Sequence, residues 1–164
     1  MQNKEKLFDQ LFRDFKDKLF RLCYSYCNNK VVAEDLLQES FSKIWLHLDK
    51  FKKECSYSTW MYRIAANTCL MNIRRHKNNP VIFSEVIADS ANSAPYTEEP
   101  INELNRAIST LEEIDRIIIS MVLQELGYKE IGEVLGITEN NVGVKVHRIK
   151  GQLKKILEKK DYNG

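Results

Sequence analysis

The feature that most constrains the fold is a pair of glycines in an otherwise helical stretch near the C-terminus. The segment LGYKEIGEVLGITENNVGVKVHRI spans residues 126–149 and carries Gly132 and Gly136. Each interior glycine costs a helix about 1 kcal/mol relative to alanine, so the pair indicates a specific backbone requirement. In a helix-turn-helix, the first helix needs a small residue at the crossing and the turn needs a residue that tolerates a left-handed conformation. We predict that Gly132 fills the first role and Gly136 the second.

The residues around this pair predict the bounds of both helices. Gly127 is an acceptable N-cap for a helix over residues 128–135, and Thr138 can cap the helix that follows the turn. Helical spacing places four apolar residues of that second helix on one side: Val142, Val146, Ile149 and Leu153. The opposite side gathers a different set: Asn140, Asn141, Val144, Lys145, His147 and Arg148.

The chemistry of this opposite side suits double-stranded DNA. Asparagine can read adenine, arginine can read guanine or hold a phosphate, and valine can touch a thymine methyl group. Lysines downstream would extend the positive potential: Lys150, Lys154, Lys155, Lys159 and Lys160. The alternative is an antiparallel helix pair with a glycine turn and a solvated, lysine-rich tail. Because cap, turn and polar face agree in register, we favour a DNA-binding helix-turn-helix.

The N-terminal part of the chain is also helical in pattern. Apolar residues recur at helical spacing over the first quarter, as one or two amphipathic helices that end at residues 28–30. A further helix begins near Val32, and Ser58 or Thr59 can cap a third that runs to about His76. The outer face of the middle helix is polar and includes Asp35, Gln38, Glu39 and Lys43.

A change of charge and composition separates the two helical parts. Residues 55–79 contain four basic residues and no acid, whereas residues 80–100 contain four acids, no base, and prolines. Such a segment of about 20 residues is typical of a flexible linker. We therefore predict an all-α fold with two small helical domains, residues 1–79 and 101–164, joined by a flexible linker over residues 80–100.

Several functional classes are disfavoured by the sequence. The longest strongly apolar run, residues 117–123, is much shorter than the roughly 18 to 20 residues that span a bilayer, and the N-terminus is polar, so we expect a cytoplasmic protein without membrane insertion. The histidines are scattered, and we find no catalytic constellation, metal site or cofactor site. A metal-dependent or redox enzyme built on the four cysteines is the alternative: Cys23, Cys27, Cys55 and Cys69.

Three stretches, AEDLLQESFSKIW, STWMYRIAANTCLMNIRR and LGYKEIGEVLGITENNVGVKVHRIKGQLKKI, occur in this order. Together they resemble a small RNA polymerase sigma factor of the extracytoplasmic-function (ECF) type of the sigma-70 family. The first resembles sigma region 2.2, the second regions 2.3 and 2.4, and the third region 4. The resemblance implies a transcription initiation factor without enzymatic activity, which directs core RNA polymerase to promoters and assists promoter opening.

The resemblance also implies roles for individual residues. Four would dock on core polymerase, whose β′ clamp helices and β subunit are the expected contacts: Asp35, Gln38, Glu39 and Lys43. Seven would bind the melted minus-ten element: Tyr57, Trp60, Arg63, Asn67, Arg74, Arg75 and Lys77. Of these, Trp60 is better explained as a core residue. Six would bind the minus-35 element: Asn140, Asn141, Val144, Lys145, His147 and Arg148.

The recognition helix departs from the family pattern, since Gly143 and Val144 stand where the family often has a basic and a hydroxyl residue. Further partners implied by the resemblance are promoter DNA and an anti-sigma factor. The competing hypothesis is a conventional helix-turn-helix regulator, whose N-terminal domain dimerises or senses a ligand. Such a regulator would bind duplex DNA without polymerase.

Overall fold

The part of the chain that the structure describes consists of helices joined by short connections. A computed structural model describes the backbone of residues 2–77 and 99–162, and the side chains of residues 2–75, 103–159 and 161. These ranges contain one short 3-10 helix and seven α-helices and no strand: α1 (Gln2–Cys27), α2 (Lys30–His47), the 3-10 helix (Leu48–Lys50), α3 (Tyr57–Lys77), α4 (Glu99–Ser109), α5 (Glu113–Leu123), α6 (Tyr128–Leu135) and α7 (Glu139–Tyr162). The all-α prediction is confirmed. The predicted linker, residues 80–100, lies outside the described residues apart from the first two residues of α4.

The first three helices share an apolar core. Leu19 and Leu22 of α1, Ile44 of α2 and Met61 of α3 are fully buried. The first quarter of the chain is a single helix, α1, and it ends where Asn28 adopts a φ of 51°. Asn29 then caps α2, because its side-chain oxygen accepts the backbone N–H of Val32 at 3.1 Å. This cap starts α2 two residues earlier than the apolar pattern predicts.

The start of α3 differs from the prediction. The backbone N–H of Thr59 donates to Oγ of Ser56 at 3.0 Å, so Ser56 caps this helix. The prediction that Ser58 or Thr59 is the cap is wrong. The physical reason is that both hydroxyls donate to the Glu130 carboxylate of α6, at 3.0 and 3.4 Å, a contact that the local sequence does not show.

The last four helices form the predicted helix-turn-helix and its support. Helix α6 spans the predicted residues, and its C-cap Gly136 has a φ of 71° and a ψ of 32°, the left-handed conformation. A Cβ atom on Gly132 would lie 2.6 Å from the backbone oxygen of Ile137. Thr138 caps α7, because its Oγ1 accepts the backbone N–H of Asn141 at 3.1 Å. The predicted roles of both glycines and of Thr138 are confirmed.

The N-terminal and C-terminal helices contact each other along α3 and α1. The hydroxyl of Tyr62 on α3 donates to Oε1 of Gln124 at 2.7 Å, and Tyr62 is 1% exposed. Nη2 of Arg63 donates to the backbone oxygen of Glu133 at 2.8 Å. On α1, the ring of Tyr26 lies 6.0 Å from the guanidinium carbon of Arg116 on α5. The bond from Arg63 to Glu133, together with those from Ser58 and Thr59 to Glu130, holds α6 against α3.

Candidate nucleic-acid and polymerase interfaces

Helix α7 presents the predicted recognition face. Val142, Val146 and Ile149 are buried, and they fix the rotation of the helix about its own axis. The opposite side is exposed at Asn140, Asn141, Val144 and His147, and half-buried at Lys145. A helix in the major groove reads base edges through side chains of these types. The structure therefore brings five of the six predicted minus-35 residues together on one accessible surface.

The sixth residue, Arg148, is engaged within the protein. Its Nη2 atom donates to both carboxylate oxygens of Asp115, at 3.0 and 3.1 Å. The Asp115 side chain is 3% exposed, whereas that of Arg148 is 51% exposed. Asp115 belongs to the first turn of α5, so this ion pair joins the recognition helix to the helix behind it.

Tyr128 adds an aromatic ring to the edge of the recognition helix. A Cβ atom on Gly143 would meet ring carbons of Tyr128 at 3.8 and 3.9 Å, so the ring lies over the position that lacks a side chain. Tyr128 is 37% exposed. The sequence analysis did not name Tyr128 as part of the recognition surface. The sequence does show a tyrosine at the start of α6 and a glycine in α7.

The seven residues predicted for the minus-ten element do not form one free surface. Tyr57 and Trp60 pack on Phe51, with ring centroids 4.6 and 4.8 Å apart, and Trp60 is half-buried. Arg63 is held by the carbonyl of Glu133 as described above. Asn67, Arg74 and Arg75 are exposed along α3. The Lys77 side chain lies outside the described residues.

The predicted polymerase-binding residues divide into two pairs. Asp35 and Gln38 are exposed on α2. Glu39 and Lys43 are tied to each other at 2.8 Å, and the ammonium of Lys43 also donates to Oγ1 of Thr68 on α3 at 3.1 Å. The second pair therefore helps to join α2 to α3, and the first pair is free to meet a partner.

An aromatic groove lies beside this first pair and was missed by sequence reasoning. It runs between α1 and α2, and it is lined by Phe8, Phe12, Glu34, Leu37, Gln38, Phe41, Ser42, Trp45 and Leu46. Leu46 is 66% exposed and Trp45 36% exposed. The apolar spacing places five of the lining residues on apolar helix faces: Phe8, Phe12, Leu37, Phe41 and Trp45. Periodicity identifies such a face but not whether another element covers it.

The cysteines do not form a ligand cluster. Among the residues described, no group of three His, Cys, Asp or Glu side chains could hold a metal ion. Cys23 and Cys69 are buried together between α1 and α3, with sulfur atoms 3.9 Å apart, and Cys55 is elsewhere on the chain. Burial raises the pKa of Cys27 to about 12. Within the described ranges, none of the helices has the length and apolar content that crossing a bilayer would require.

Comparison with known proteins relates the two helical parts to known regions. The family model for sigma-70 region 2 matches residues 11–79, and that for sigma-70 region 4 matches residues 101–153. The chain is 32% identical over 158 residues to the ECF RNA polymerase sigma factor SigW of Bacillus subtilis, covering 87% of this chain and 84% of SigW. It is also 32% identical over 159 residues to the RNA polymerase sigma factor SigZ of the same organism, covering 95% and 88%.

Solved structures share the same fold. The sigma factor RpoE of Bartonella quintana, in a co-crystal with the anti-sigma factor NepR, superposes with a TM-score of 0.75 at 20% identity, covering 93% of this chain and 98% of RpoE. CnrH, in complex with the cytosolic domain of CnrY, superposes with a TM-score of 0.71 at 18% identity, covering 94% and 89%. A conventional helix-turn-helix regulator does not account for the region 2 match. The chain therefore belongs to the ECF sigma factors of the sigma-70 family, which direct core RNA polymerase to specific promoters and assist promoter opening.

Proposed function

We propose that this sigma factor divides its work among three helices, as a cytoplasmic protein without enzymatic activity. In this proposal α2 docks on core polymerase, α3 binds the melted minus-ten strand, and α7 reads the minus-35 element. The observation that carries the proposal is the exposed polar side of α7 opposite its buried Val142, Val146 and Ile149. Run-off transcription with the full chain, core polymerase and a pool of promoter fragments tests it. Transcripts that require the chain and share two upstream elements are expected.

Run-off transcription, together with a duplex-binding assay on the chain alone, separates this proposal from the conventional regulator. A conventional regulator binds duplex DNA in the absence of polymerase, whereas a sigma factor acts as part of the holoenzyme. Binding of duplex fragments by the chain alone, together with no stimulation of transcription by core polymerase, would therefore contradict the proposal.

The aromatic groove and its polar rim support a docking surface on α2. Protein interfaces commonly place aromatic side chains at their centre and polar residues at their rim. Here Trp45 and Phe12 are more than a third exposed, and Gln38 lines the same groove, with exposed Asp35 one turn earlier on α2. We place the β′ clamp helices, through a basic or amide-rich segment, against this surface, and further contacts with the β subunit elsewhere.

Charge reversal tests the docking surface. Asp35→Lys is preferable to a change at Glu39, because Glu39 pairs with Lys43 inside the domain. We expect Asp35→Lys to weaken association with core polymerase while the far-ultraviolet circular dichroism of the chain stays unchanged. Asp14→Lys is the matched control, since Asp14 is exposed on α1 and does not line the groove. Equal association of the two variants would exclude Asp35 from the interface.

On α3, the proposal assigns phosphate neutralisation to Arg74 and Arg75, which are exposed. Phosphate contacts require only charge, and each lowers the steepness of the salt dependence by about one unit when it is removed. Trp60 serves mainly as packing for Phe51. Nε and Nη2 of Arg63 are held by the carbonyl of Glu133, so in this arrangement Nη1 is the nitrogen left to contact a DNA strand.

We also propose a protein antagonist of the anti-sigma type, since RpoE of B. quintana is found with NepR. A cavity of about 550 Å³ between α1, α4 and α5 supports this proposal. Its lining includes Phe20, Tyr24 and Leu123, and Leu123 is 54% exposed. Leu123→Glu should keep run-off transcription but reduce inhibition by a purified antagonist. Equal inhibition of the Leu123→Glu variant and the unchanged chain would remove this cavity from the antagonist's binding site.

A further inference from the structure

The ion pair between Asp115 and Arg148 limits how the recognition helix can read DNA. Both carboxylate oxygens of Asp115 accept from the same nitrogen of Arg148, Nη2, at 3.0 and 3.1 Å. Asp115 comes from α5 and Arg148 from α7, 33 residues apart in the chain. The contact therefore fixes the guanidinium from behind the recognition surface.

The position of this contact on the guanidinium matters because of the geometry of arginine. A guanidinium offers five N–H donors in a planar fork, and guanine is read by two parallel donors aimed at its O6 and N7 atoms. Parallel donors come from Nη1 with Nη2 or from Nε with Nη2, so both pairings use Nη2. Nη2 carries two N–H groups, and both carboxylate oxygens of Asp115 lie on this nitrogen. Since Nε and Nη1 diverge, a guanine read through either pairing would have to share Nη2 with the buried carboxylate.

The burial of Asp115 makes this restraint persistent. Its side chain is 3% exposed, and Arg148 is the only cation with which Asp115 forms an ion pair among the described residues. Removing one partner from a buried pair leaves an uncompensated charge, and this penalty exceeds what one base contact returns. Lys155 lines the same shallow surface depression as Asp115 and Arg148 but is not paired with the carboxylate. DNA is therefore a weak competitor for Nη2.

We propose that Asp115 is a positioning residue that withdraws Arg148 from bidentate base reading and leaves its Nε and Nη1 atoms for a phosphate. This inference rests on the proposed reading of the minus-35 element by α7. Under it, sequence discrimination comes from the exposed residues at the beginning and middle of the recognition face, Asn140, Asn141, Val144 and His147. Arg148 then strengthens binding to all sequences by a similar factor.

The test uses the full chain assembled with core polymerase and a set of promoter fragments, each altered at one minus-35 base pair. Arg148→Lys should leave affinity nearly unchanged on every fragment, because lysine keeps the positive charge and a phosphate contact needs only charge. Asp115→Asn, which weakens the hold on Nη2, should create a new preference for guanine at one position, on the order of tenfold. A merely structural role for Asp115 would lower affinity without changing base preference.

Controls separate the possible failures. Glu113→Gln removes a carboxylate from the same turn of α5 and should leave base preference unchanged. If Arg148→Lys abolishes preference for one base pair in the otherwise unchanged chain, or if folded Asp115→Asn shows the original preferences, the inference is wrong. Should Asp115→Asn fail to fold, the Arg148→Lys profile alone decides. Absence of any transcription by the unchanged chain would instead refute the proposed function itself.

Discussion

Replacing Gly132 with alanine tests the account of the helix-turn-helix most directly. The added Cβ would lie 2.6 Å from the backbone oxygen of Ile137, and 3.5 Å from the backbone nitrogen of Glu139. Separations under about 3 Å between such atoms are strongly repulsive. Since the opposing atom belongs to the backbone of the turn, no side-chain rotation can relieve the contact. The turn must move relative to α6, and the recognition helix α7 moves with it.

The size of the effect follows from two opposing contributions. Overpacking against atoms that cannot move costs about 3 kcal/mol, at the upper end of the usual range. Alanine in place of an interior helical glycine returns about 1 kcal/mol, so we expect Gly132→Ala to lower the free energy of unfolding by about 2 kcal/mol. Gly151→Ala is the matched control in α7, because its Cβ would meet nothing within 4 Å. That change should raise the free energy of unfolding by about 1 kcal/mol.

Equilibrium unfolding in urea, followed by circular dichroism, measures both variants. The expected result is a lower midpoint for Gly132→Ala, a higher midpoint for Gly151→Ala, and unchanged slopes. Gly132→Ala should also weaken binding to minus-35 duplexes, since α7 is displaced. A Gly132→Ala chain as stable as Gly151→Ala would refute the close approach of the turn to α6 and, with it, the reason given for this glycine.

Three further expectations concern other parts of the chain. Thr138→Ala removes the N-cap of α7 and should lower the free energy of unfolding in urea by about 1 kcal/mol; no change would exclude a capping role. Tyr62→Phe deletes the hydrogen bond to Gln124 and should speed hydrogen exchange in α5; unchanged exchange would show that this bond does not hold the two parts together. Burial raises the pKa of Cys27 from 9.0 to about 12. Between these pH values the folded state keeps the thiol proton and the unfolded state loses it, so the free energy of unfolding should fall as pH rises from 9 towards 12. Cys27→Ala should make this fall less steep.

The helix-turn-helix could be predicted from the sequence because its requirements are local. A left-handed turn, a close approach and a cap each select a residue type at a fixed spacing, and Gly136, Gly132 and Thr138 occupy those positions. The face of α7 follows from the same reasoning, since the positions of buried Val142 and Val146 determine which side chains point away from the core.

Other features required knowledge of which helices pack together. Periodicity placed Trp45 on an apolar face, but only the packing of α1 against α2 shows that Trp45 lines an open groove together with Leu46. Local spacing suggested Ser58 or Thr59 as a cap, and the position of Glu130 on α6 explains why their hydroxyls are used elsewhere. The roles of Ser58 and Thr59 depend on Glu130, which is more than 70 residues away in the chain.

Arg148 shows the limit of sequence reasoning for the candidate site. The sequence correctly placed Arg148 on the side of α7 opposite the buried residues, and its side chain is half exposed. The sequence by itself determined the helices, the turn and the chemistry of the recognition face, because propensity, capping and periodicity act between neighbours in the chain. Only the tertiary structure decided which donors of that face are free, because burial of Asp115 and its pairing with Arg148 depend on how α5 packs against α7.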